Sequence, residues 1–443
     1  ASDFFGGEHL DEIRLTMDSA DWRKLHDNYK DKKTTYAAEL SWRGLTLRSV
    51  GIHTRGSGSL NPIKPGLAIE FDRFVPGQSL LGLQSLILRN MWGDPSTLHE
   101  YLTMRVLERL GMPFQRTAHV RVMVNGEYVG LYQLAEPLDS TYLRSRFGED
   151  TGELYEMQGG KGYHFQYWGD DPAVYVPSLF GPKTPAASSQ GAVIADWARA
   201  INLSVDSEFV HAMDAYVDLG SYVAYAAVEQ FMAELDGMMS SGGMTNFYLY
   251  RRVADHRFVV LPWDKEMTFG SPTRPIFEGI EENELLKRAL RVPELRHRYL
   301  ETMLQAAVAI GSRGGWLEQQ LDREYSLVRE SVMADPARVC LVDGVTSPCP
   351  LGYFESGVEY VRTFARERAS FIADAINDQG WGEDPYVPAL FVGSIRNAAS
   401  GATTLAPGTI AFLDVRLSTQ VDARATSWPL PFSLGGISVT VGG

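Results

Sequence analysis

Three oxygen-bearing side chains lie where regular elements of the chain are predicted to end or begin. Asp236 ends an apolar helical pattern, Asn246 opens the strand Asn-Phe-Tyr-Leu-Tyr, and Asp264 follows the strand Arg-Phe-Val-Val-Leu-Pro-Trp. The polar connector between these two strands predicts a β-hairpin, which would bring Asn246 and Asp264 to the same end of the ribbon. Loops held by rigid elements are where reactive groups are usually found, so we predict a functional site here.

Two carboxylates and an amide are hard oxygen donors, which suit Mg²⁺ or Mn²⁺ better than Zn²⁺. In phosphoryl transfer, one aspartate receives the proton of the attacking hydroxyl while another aspartate and an asparagine hold the metal. The order of residues is the same here. However, the interval from Asp236 to Asn246 is longer than in the H-R-D-L-x-x-x-N loop of protein kinases, and the D-F-G triplet is missing. The alternative is purely structural: a helix cap, a strand start and a turn.

The motifs around these residues are more specific than their spacing. Leu235-Asp236 is followed by Asn-Phe-Tyr-Leu-Tyr at 246–250, Pro-Trp-Asp at 262–264 and Thr-Phe-Gly at 268–270. In this order the motifs resemble those of the spore-coat protein H (CotH) kinase family, and the resemblance extends over about residues 8–380. It implies an atypical secreted protein kinase. Asp236 would orient or deprotonate a Ser/Thr hydroxyl, and Asn246 and Asp264 would bind the metal.

The first part of the chain supplies candidate phosphate contacts. A glycine-serine loop from Arg55 to Ser59 follows a predicted strand and can present backbone N–H groups to phosphate, although a flexible hairpin loop is the plainer interpretation. Arg55, Ser59 and Lys64 match the R-G-x-S-[ST] and K-x-[SP] patterns of the family. The family often has a second basic residue in the next strand, where this chain has Ala68. Lys64 is therefore the candidate lysine, and a solvated loop lysine is the alternative.

Two glutamates are further candidates for the nucleotide site. A helix predicted from about residue 96 to 110, with Ser96 or Thr97 as its N-cap, carries Glu100, which would pair with the phosphate-binding lysine in a kinase-like lobe. Glu108 is the other candidate for this role. The alternative is that Glu100 is a surface residue near the start of the helix. Glu136 follows a predicted hairpin that turns at Asn125-Gly126. The resemblance implies that Glu136 lines the adenine pocket, and a capping or salt-bridge role is the alternative.

Composition excludes some functional classes. The 443 residues are 44% hydrophobic and 22% charged, as in globular proteins, and the net charge of −14 argues against a nucleic-acid-binding face. No apolar run reaches the roughly 18 residues that a transmembrane helix requires. The first residues lack a basic stretch followed by an apolar run, so a signal peptide is absent or already removed.

Two cysteines and one basic helical segment complete the observations. Cys340 and Cys349 can close a small loop as a disulfide, which would imply an oxidising compartment; two free thiols are the alternative. The segment from Arg362 to Arg368 is predicted to form a solvated helix face.

We therefore predict an α+β protein with a two-lobed, atypical protein-kinase-like fold. The β-rich N-terminal lobe would comprise residues 8–140, and the helical C-terminal lobe with the metal site would comprise residues 141–385. Residues 386–443, where charges thin out and short alternating runs appear, are predicted to form a short β-sandwich-like segment similar to immunoglobulin modules. The segment is shorter than a full sandwich, so the alternatives are an incomplete module or strands added to the kinase-like body.

The function implied by the resemblance is phosphoryl transfer from ATP, with Mg²⁺ or Mn²⁺, to Ser/Thr of a protein substrate. The protein would be secreted or at the cell surface, with no nucleic-acid partner and no membrane span. One alternative is a catalytically weak surface binding or adhesion protein on a kinase-like scaffold. Ala68 and the C-terminal β segment favour that alternative, whereas the retained Asp236, Asn246 and Asp264 disfavour it. Another is a metal-dependent phosphohydrolase, which would not need Lys64.

Overall fold

The computed structural model describes residues 2–7, 9–159, 161–189, 191–342, 344–379, 391–397 and 411–416. The chain divides into two compact units, Ala1–Ala373 and Asp374–Gly443. Both helices and strands are abundant, which confirms the prediction of a mixed α and β protein.

The strands are β1 (Asp11–Met17), β2 (Tyr36–Trp42), β3 (Leu45–Arg55), β4 (Gly66–Glu70), β5 (Ser85–Arg89), β6 (Thr117–Val124), β7 (Glu127–Ala135), β8 (Glu153–Met157), β9 (Phe180–Pro182), β10 (Phe247–Arg251), β11 (Phe258–Pro262), β12 (Val339–Val342), β13 (Val345–Pro348), β14 (Phe391–Asn397) and β15 (Ala411–Arg416). The helices are α1 (Ser19–Asp27), α2 (His99–Arg109), α3 (Ser140–Phe147), α4 (Pro185–Ser189), α5 (Gly191–Leu203), α6 (Phe209–Met213), α7 (Leu219–Phe231), α8 (Glu284–Ala289), α9 (Pro293–Ile310), α10 (Trp316–Ala334) and α11 (Leu351–Asn377).

The first seven strands close into a barrel, in the order β1-β2-β3-β4-β5-β7-β6. β1 and β6 pair in parallel and close it, while the other neighbours are antiparallel. Alternation along the strands directs side chains such as Ile52, Leu67 and Leu88 into one fully buried core. The sequence predicted these strands but not the closure, because closure depends on a pairing between residues more than a hundred positions apart.

A second sheet has four antiparallel strands in the order β11-β10-β8-β9. The predicted hairpin is present as β10 and β11, with Phe247 opposite Pro262. A second buried cluster joins this sheet to the barrel side, since Ile87 and Ala135 pack with Tyr248 and Trp263. The aromatic strands thus support the loops at the end of the hairpin.

Three helix boundaries differ from the predictions. Helix α7 ends at Phe231 rather than at residue 235, and Ala233 then takes a positive φ of 49°. Helix α2 begins at His99, and the carboxylate of Asp94, not a Ser or Thr side chain, accepts its N–H at 2.6 Å. The pattern of residues 283–310 predicts one long helix, but Pro293 splits it into α8 and α9, because proline disfavours helical backbone at the residue before it.

Helix α11 buries a residue that the sequence had placed at the surface. Arg366 is partly exposed and pairs with Glu318, as a solvated face predicts. Arg368, in contrast, has no exposed surface and lies in the core. The prediction of a solvated face is therefore wrong for Arg368.

A disulfide joins Cys340 to Cys349 and staples the hairpin of β12 and β13. In the second unit, β14 and β15 form an antiparallel hairpin, and the rest of the predicted β segment lies outside the described residues. Among the described residues, no helix combines the length and apolarity required to cross a bilayer.

Candidate active site

A cleft of about 810 Å³ lies between one side of the barrel and the second sheet. Asp236, Asn246 and Asp264 all line it, so the structure brings together the three residues that the sequence singled out. Arg55 and Ser59, the predicted phosphate contacts, also line it.

Asn246 and Asp236 are joined by a side-chain hydrogen bond. Asn246 Nδ2 donates to Asp236 Oδ2 at 2.9 Å and to the Asp236 carbonyl oxygen at 2.8 Å. The amide therefore fixes the carboxylate against its own backbone. The Oδ1 atom of Asn246 accepts a long hydrogen bond from the Thr245 hydroxyl at 3.4 Å and keeps further acceptor capacity.

Asn246 and Asp264 occupy matching positions at the end of the hairpin. Trp263 N–H donates to the Asn246 carbonyl at 3.2 Å, and both polar residues have left-handed backbone, with φ values of 58° and 53°. Asn and Asp tolerate this conformation better than other non-glycine residues. Residues with left-handed backbone often cluster at functional sites, where the surrounding structure holds them in place.

Main-chain hydrogen bonds tie the turn that carries Asp236 to the segment that follows Asp264. Phe269 N–H donates to the Met232 carbonyl at 2.7 Å, Leu235 N–H to Met267 at 3.1 Å and Gly270 N–H to Ala233 at 3.2 Å. The two aspartates are therefore held by one continuous backbone network. The Thr-Phe-Gly motif at 268–270 lies at this connection between the two segments.

Arg89 is the functional residue that sequence reasoning missed. Its Nη1 lies 2.5 Å from Asp264 Oδ1, and its Nε lies 3.1 Å from Glu100 Oε2. The helix glutamate is buried behind Arg89, so it contacts the cleft through this arginine, and its cation comes from β5. The sequence does contain a signal for Arg89, because it is a single basic residue at the end of an apolar strand, just before the predicted helix.

The strand register of the barrel places the cation of β5 on the same face as Ala68 in β4. Ala68 in β4 lies opposite Ile87, and Arg89 is two residues further along β5, so its side chain projects from the same face. Arg55 is opposite Gly66 on the other neighbouring strand and shares that face. Two arginines thus flank the position where Ala68 departs from the family pattern.

Burial raises the pKa of several carboxyl groups that line the cleft or lie directly behind it. Desolvation raises the pKa of Asp236, the charge of Asp264 adds to this, and the Asn246 hydrogen bond opposes it. Burial also raises the pKa of Glu100 to about 7, although Arg89 opposes the shift. Glu266, a further lining residue that the sequence analysis did not single out, has its pKa raised well above the ordinary value by burial and by Asp264.

A buried ion cluster lies behind Asp236. Lys265 Nζ is 2.6 Å from Glu229 Oε1 and 3.7 Å from Glu234 Oε2. The two glutamates in turn accept main-chain N–H groups of the turn, from Met238 at 2.7 Å and Asp236 at 2.9 Å. Through these two main-chain bonds the cluster fixes the backbone of the Asp236 turn.

Arg55 is the arginine that faces the open part of the cleft. Its guanidinium lies 5.3 Å from the centre of the Trp263 ring, and Arg89 lies 4.5 Å from the same ring. Desolvation and the charge of Arg89 lower the pKa of Arg55, which indicates a cation that an anionic ligand would stabilise. The adjoining Gly56 has a φ of 120°, and a Cβ there would lie 2.7 Å from Ser59 Oγ.

Comparisons with known proteins place the chain in a family. The family model described as CotH kinase protein matches residues 52–372. The chain belongs to the CotH kinase protein family. It is 23% identical to the inner spore coat protein H of Bacillus subtilis over 272 residues, covering 59% of this chain and 73% of that protein.

Two further likenesses are more distant or less complete. The chain is 23% identical over 233 residues to the invasin CotH3 of Rhizopus delemar, covering 50% of this chain but only 37% of the invasin. The Helicobacter pylori proinflammatory kinase CtkA is similar over 71% of this chain and 94% of that chain, with 9% identity and a TM-score of 0.31. A TM-score this low does not define the fold.

The structure does not bring Lys64 to the cleft of this CotH protein, so the expectation that it contacts phosphate needs correction. Lys64 is buried, and its Nζ donates to Asp335 Oδ2 at 2.7 Å and to the Leu131 carbonyl at 2.5 Å. Desolvation lowers the pKa of Lys64, and Asp335 opposes the shift. Its ammonium group therefore links the barrel to the end of α10.

Glu136 also differs from its predicted role. It is buried and forms ion pairs with Arg116 and, at 3.5 Å, with Arg146. It does not line the cleft, so the salt-bridge alternative describes it better than a contact with adenine. Glu108, the rival of Glu100, is exposed and pairs with Arg105.

Asn246 and Asp264 have the chemistry to hold a divalent cation. Both offer hard oxygen atoms in the cleft, and the Asn246 amide is oriented by its bonds to Asp236. Across the described residues, no three His, Cys, Asp or Glu side chains converge as a metal site. A cation here would complete its shell with phosphate and water oxygens, as Mg²⁺ often does.

Proposed function

We propose that this CotH protein transfers a phosphoryl group from ATP, with Mg²⁺ or Mn²⁺, to Ser or Thr hydroxyls of a protein substrate. The observation that supports this most is Arg89, which pairs with both Glu100 and Asp264 at the cleft. In protein kinases, a cation that pairs a helix glutamate beside a metal-binding aspartate is required for activity. The arrangement serves that role here with an arginine instead of a lysine.

The residues of the chain divide the work as follows. Asp236 accepts the proton of the acceptor hydroxyl, whose oxygen forms the new bond to phosphorus as the bond to the leaving oxygen of ADP breaks. Its raised pKa, caused mainly by burial, favours proton uptake. Arg55 and the Gly56–Ser59 loop bind phosphate oxygens. Asn246 and Asp264 would hold the metal, which would neutralise charge on the phosphates.

The same proposal includes a kinase-like architecture and a location for the protein. The barrel would form the N-terminal lobe and the second sheet with the helices would form the C-terminal lobe, with ATP bound in the cleft between them. Relatives named as a spore coat protein and an invasin support a secreted or cell-surface location.

A thermal-shift titration of ATP with Mg²⁺ and then Mn²⁺ tests the proposal, on wild type, Asp264→Ala and Asp255→Ala. Asp255 is a matched control because it lies in the exposed turn of the hairpin and pairs with Arg252. We expect a metal-dependent rise in midpoint that only Asp264→Ala abolishes. Transfer of labelled γ-phosphate to a Ser/Thr protein should follow the same pattern, and transfer by Asp264→Ala at the wild-type rate would disprove the assignment.

A second candidate is a surface adhesion protein that has kept a kinase-like scaffold. The likeness to a protein named as an invasin favours it. A midpoint that neither metal shifts in the presence of ATP would support this candidate, and the three polar residues would then be structural.

A further inference from the structure

Arg368 is a buried arginine whose hydrogen bonds, within the described residues, all go to main-chain oxygens. Its Nε donates to the Phe231 carbonyl at 2.9 Å and its Nη2 to Gln230 at 2.9 Å. Its Nη1 donates to Pro272 at 3.0 Å and to Arg274 at 2.7 Å. One guanidinium thus spans four carbonyls from two separate segments.

Both segments lead directly to the candidate active site. Gln230 and Phe231 are the last residues of α7, whose final carbonyls have no partner within the helix, and the turn with Asp236 follows. Pro272 and Arg274 come just after the Thr-Phe-Gly motif that ends the Asp264 segment.

The side chain of Arg274 strengthens the same joint. Its Nη1 donates to the Glu234 carbonyl at 2.8 Å, two residues before Asp236. Together with the main-chain bonds at 232–235 and 267–270, the two arginines fasten the segment after Asp264 to the turn of Asp236.

Burial of the Arg368 charge in a core costs free energy, because the guanidinium loses its hydration. In the part of the chain that the structure describes, no carboxylate forms an ion pair with it, and burial lowers its pKa to about 10. Phe231, Phe364 and Phe371 surround it, with ring centres 5.4–6.0 Å from Cζ. An apolar side chain would suit these rings, whereas only a planar fork of donors can bind both pairs of carbonyls.

We propose that Arg368 is a positioning residue that holds the Asp236 turn and the Asp264 segment in the register needed for phosphoryl transfer. The inference rests on the proposed function, but its structural half, the fastening of two segments, can be measured without activity. Lysine cannot replace arginine here, because its three donors leave a single atom and cannot reach four carbonyls in two segments.

The experiment compares Arg368→Lys and Arg368→Met with Arg366→Lys and Arg366→Met in the full chain. Arg366 is the control because it lies on the same helix and forms a partly exposed pair with Glu318. Amide hydrogen exchange is followed in residues 230–236 and 267–274, with β6 and β7 as internal reference. Phosphate transfer is measured as kcat and KM for ATP.

We expect faster exchange in both segments of the Arg368 variants, with the reference strands and the Arg366 variants unchanged. We expect kcat to fall about 100-fold, because small displacements of reacting groups have large effects, while KM for ATP stays within about threefold. Unchanged exchange in the two segments would overturn the inference, and so would faster exchange throughout the barrel, which would indicate a purely structural role.

The two proposals fail in different ways. If the wild type transfers no phosphate but the local exchange changes as expected, the proposed function fails and the fastening role of Arg368 stands. If the wild type transfers phosphate and the Arg368 variants keep full kcat despite faster local exchange, the positioning role is wrong and the proposed function stands.

Discussion

The guanidinium of Arg89 meets the carboxylate of Asp264 in the cleft, with 2.5 Å between Nη1 and Oδ1. The same guanidinium lies over the Trp263 ring and beside Glu100 on α2. Helix α2 is further linked to the Asp264 segment, because the Thr103 and Thr268 hydroxyls share a hydrogen bond at 2.8 Å. The position of this helix and the position of Asp264 are therefore coupled through Arg89.

Replacement of Arg89 by alanine should lower kcat by about 10²–10³, the usual cost of losing one preorganised charge at a reacting group. Ala68 shares a face with Arg89, so the double variant Arg89→Ala/Ala68→Lys should recover part of the loss. Steady-state kinetics with ATP and Mg²⁺ measures both effects. Full activity of the single variant would show that Arg89 is not part of the machinery.

Replacement of Asn246 by alanine should move the acid limb of the pH–rate profile to higher pH. The hydrogen bond from Asn246 opposes the rise in the pKa of Asp236, so its loss lets burial and Asp264 raise that pKa further. The base then needs a higher pH to lose its proton. Profiles of kcat at saturating metal are compared with those of Ser240→Ala, a change elsewhere in the cleft wall. An unmoved limb would exclude Asp236 as the titrating base.

Replacement of Glu100 by glutamine should flatten the dependence of stability on pH. Its pKa is about 7 in the folded protein and ordinarily 4.5, so the folded state binds more protons between these values. The free energy of unfolding therefore falls as pH rises from about 4.5 to about 7, by at most about 3 kcal/mol from this group.

Urea unfolding across that pH range measures the effect, and Glu108→Gln on the exposed side of α2 is the control. Burial also raises the pKa of Glu234 to about 7, so some slope should persist in Glu100→Gln. A slope equal to that of the wild type would show that Glu100 remains charged at neutral pH.

Replacement of Lys64 by methionine should destabilise the fold by about 3–5 kcal/mol, because Asp335 is left buried without its partner. The double variant Lys64→Met/Asp335→Leu should recover much of that loss. Neither change should reduce the midpoint shift given by ATP and metal, since Lys64 does not line the cleft. A selective loss of the ATP response would restore Lys64 as a phosphate contact.

Local patterns in the sequence predicted the elements that carry the site. Asn246 and Asp264 flank two aromatic or apolar strands with a short polar connector, and this pattern depends only on neighbours in the chain. The start of α2 was misplaced because Asp94 accepts the helix N–H, and nothing in the spacing distinguishes it from Ser96 as a cap.

Roles that depend on distant partners were not predictable in the same way. Lys64 looked like a loop lysine because its partner, Asp335, is 271 positions away. Arg89 looked like an ordinary strand end, since the register with Ala68 becomes visible only in the barrel. Arg368 shares a charged run with Arg362 and Arg366, and its environment differs from theirs because the end of α7 and the segment at 272–274 offer it main-chain carbonyls.

The hairpin stapled by Cys340 and Cys349 contributes to the cleft from far along the chain. Trp92, which lines the cleft, donates its indole N–H to the Thr346 hydroxyl at 2.8 Å. A nascent chain would therefore hold Asp236, Asn246 and Asp264 long before this wall is fixed. We therefore expect fragments that stop short of residue 340 to lack this support of Trp92 and to form the cleft less well than the whole chain.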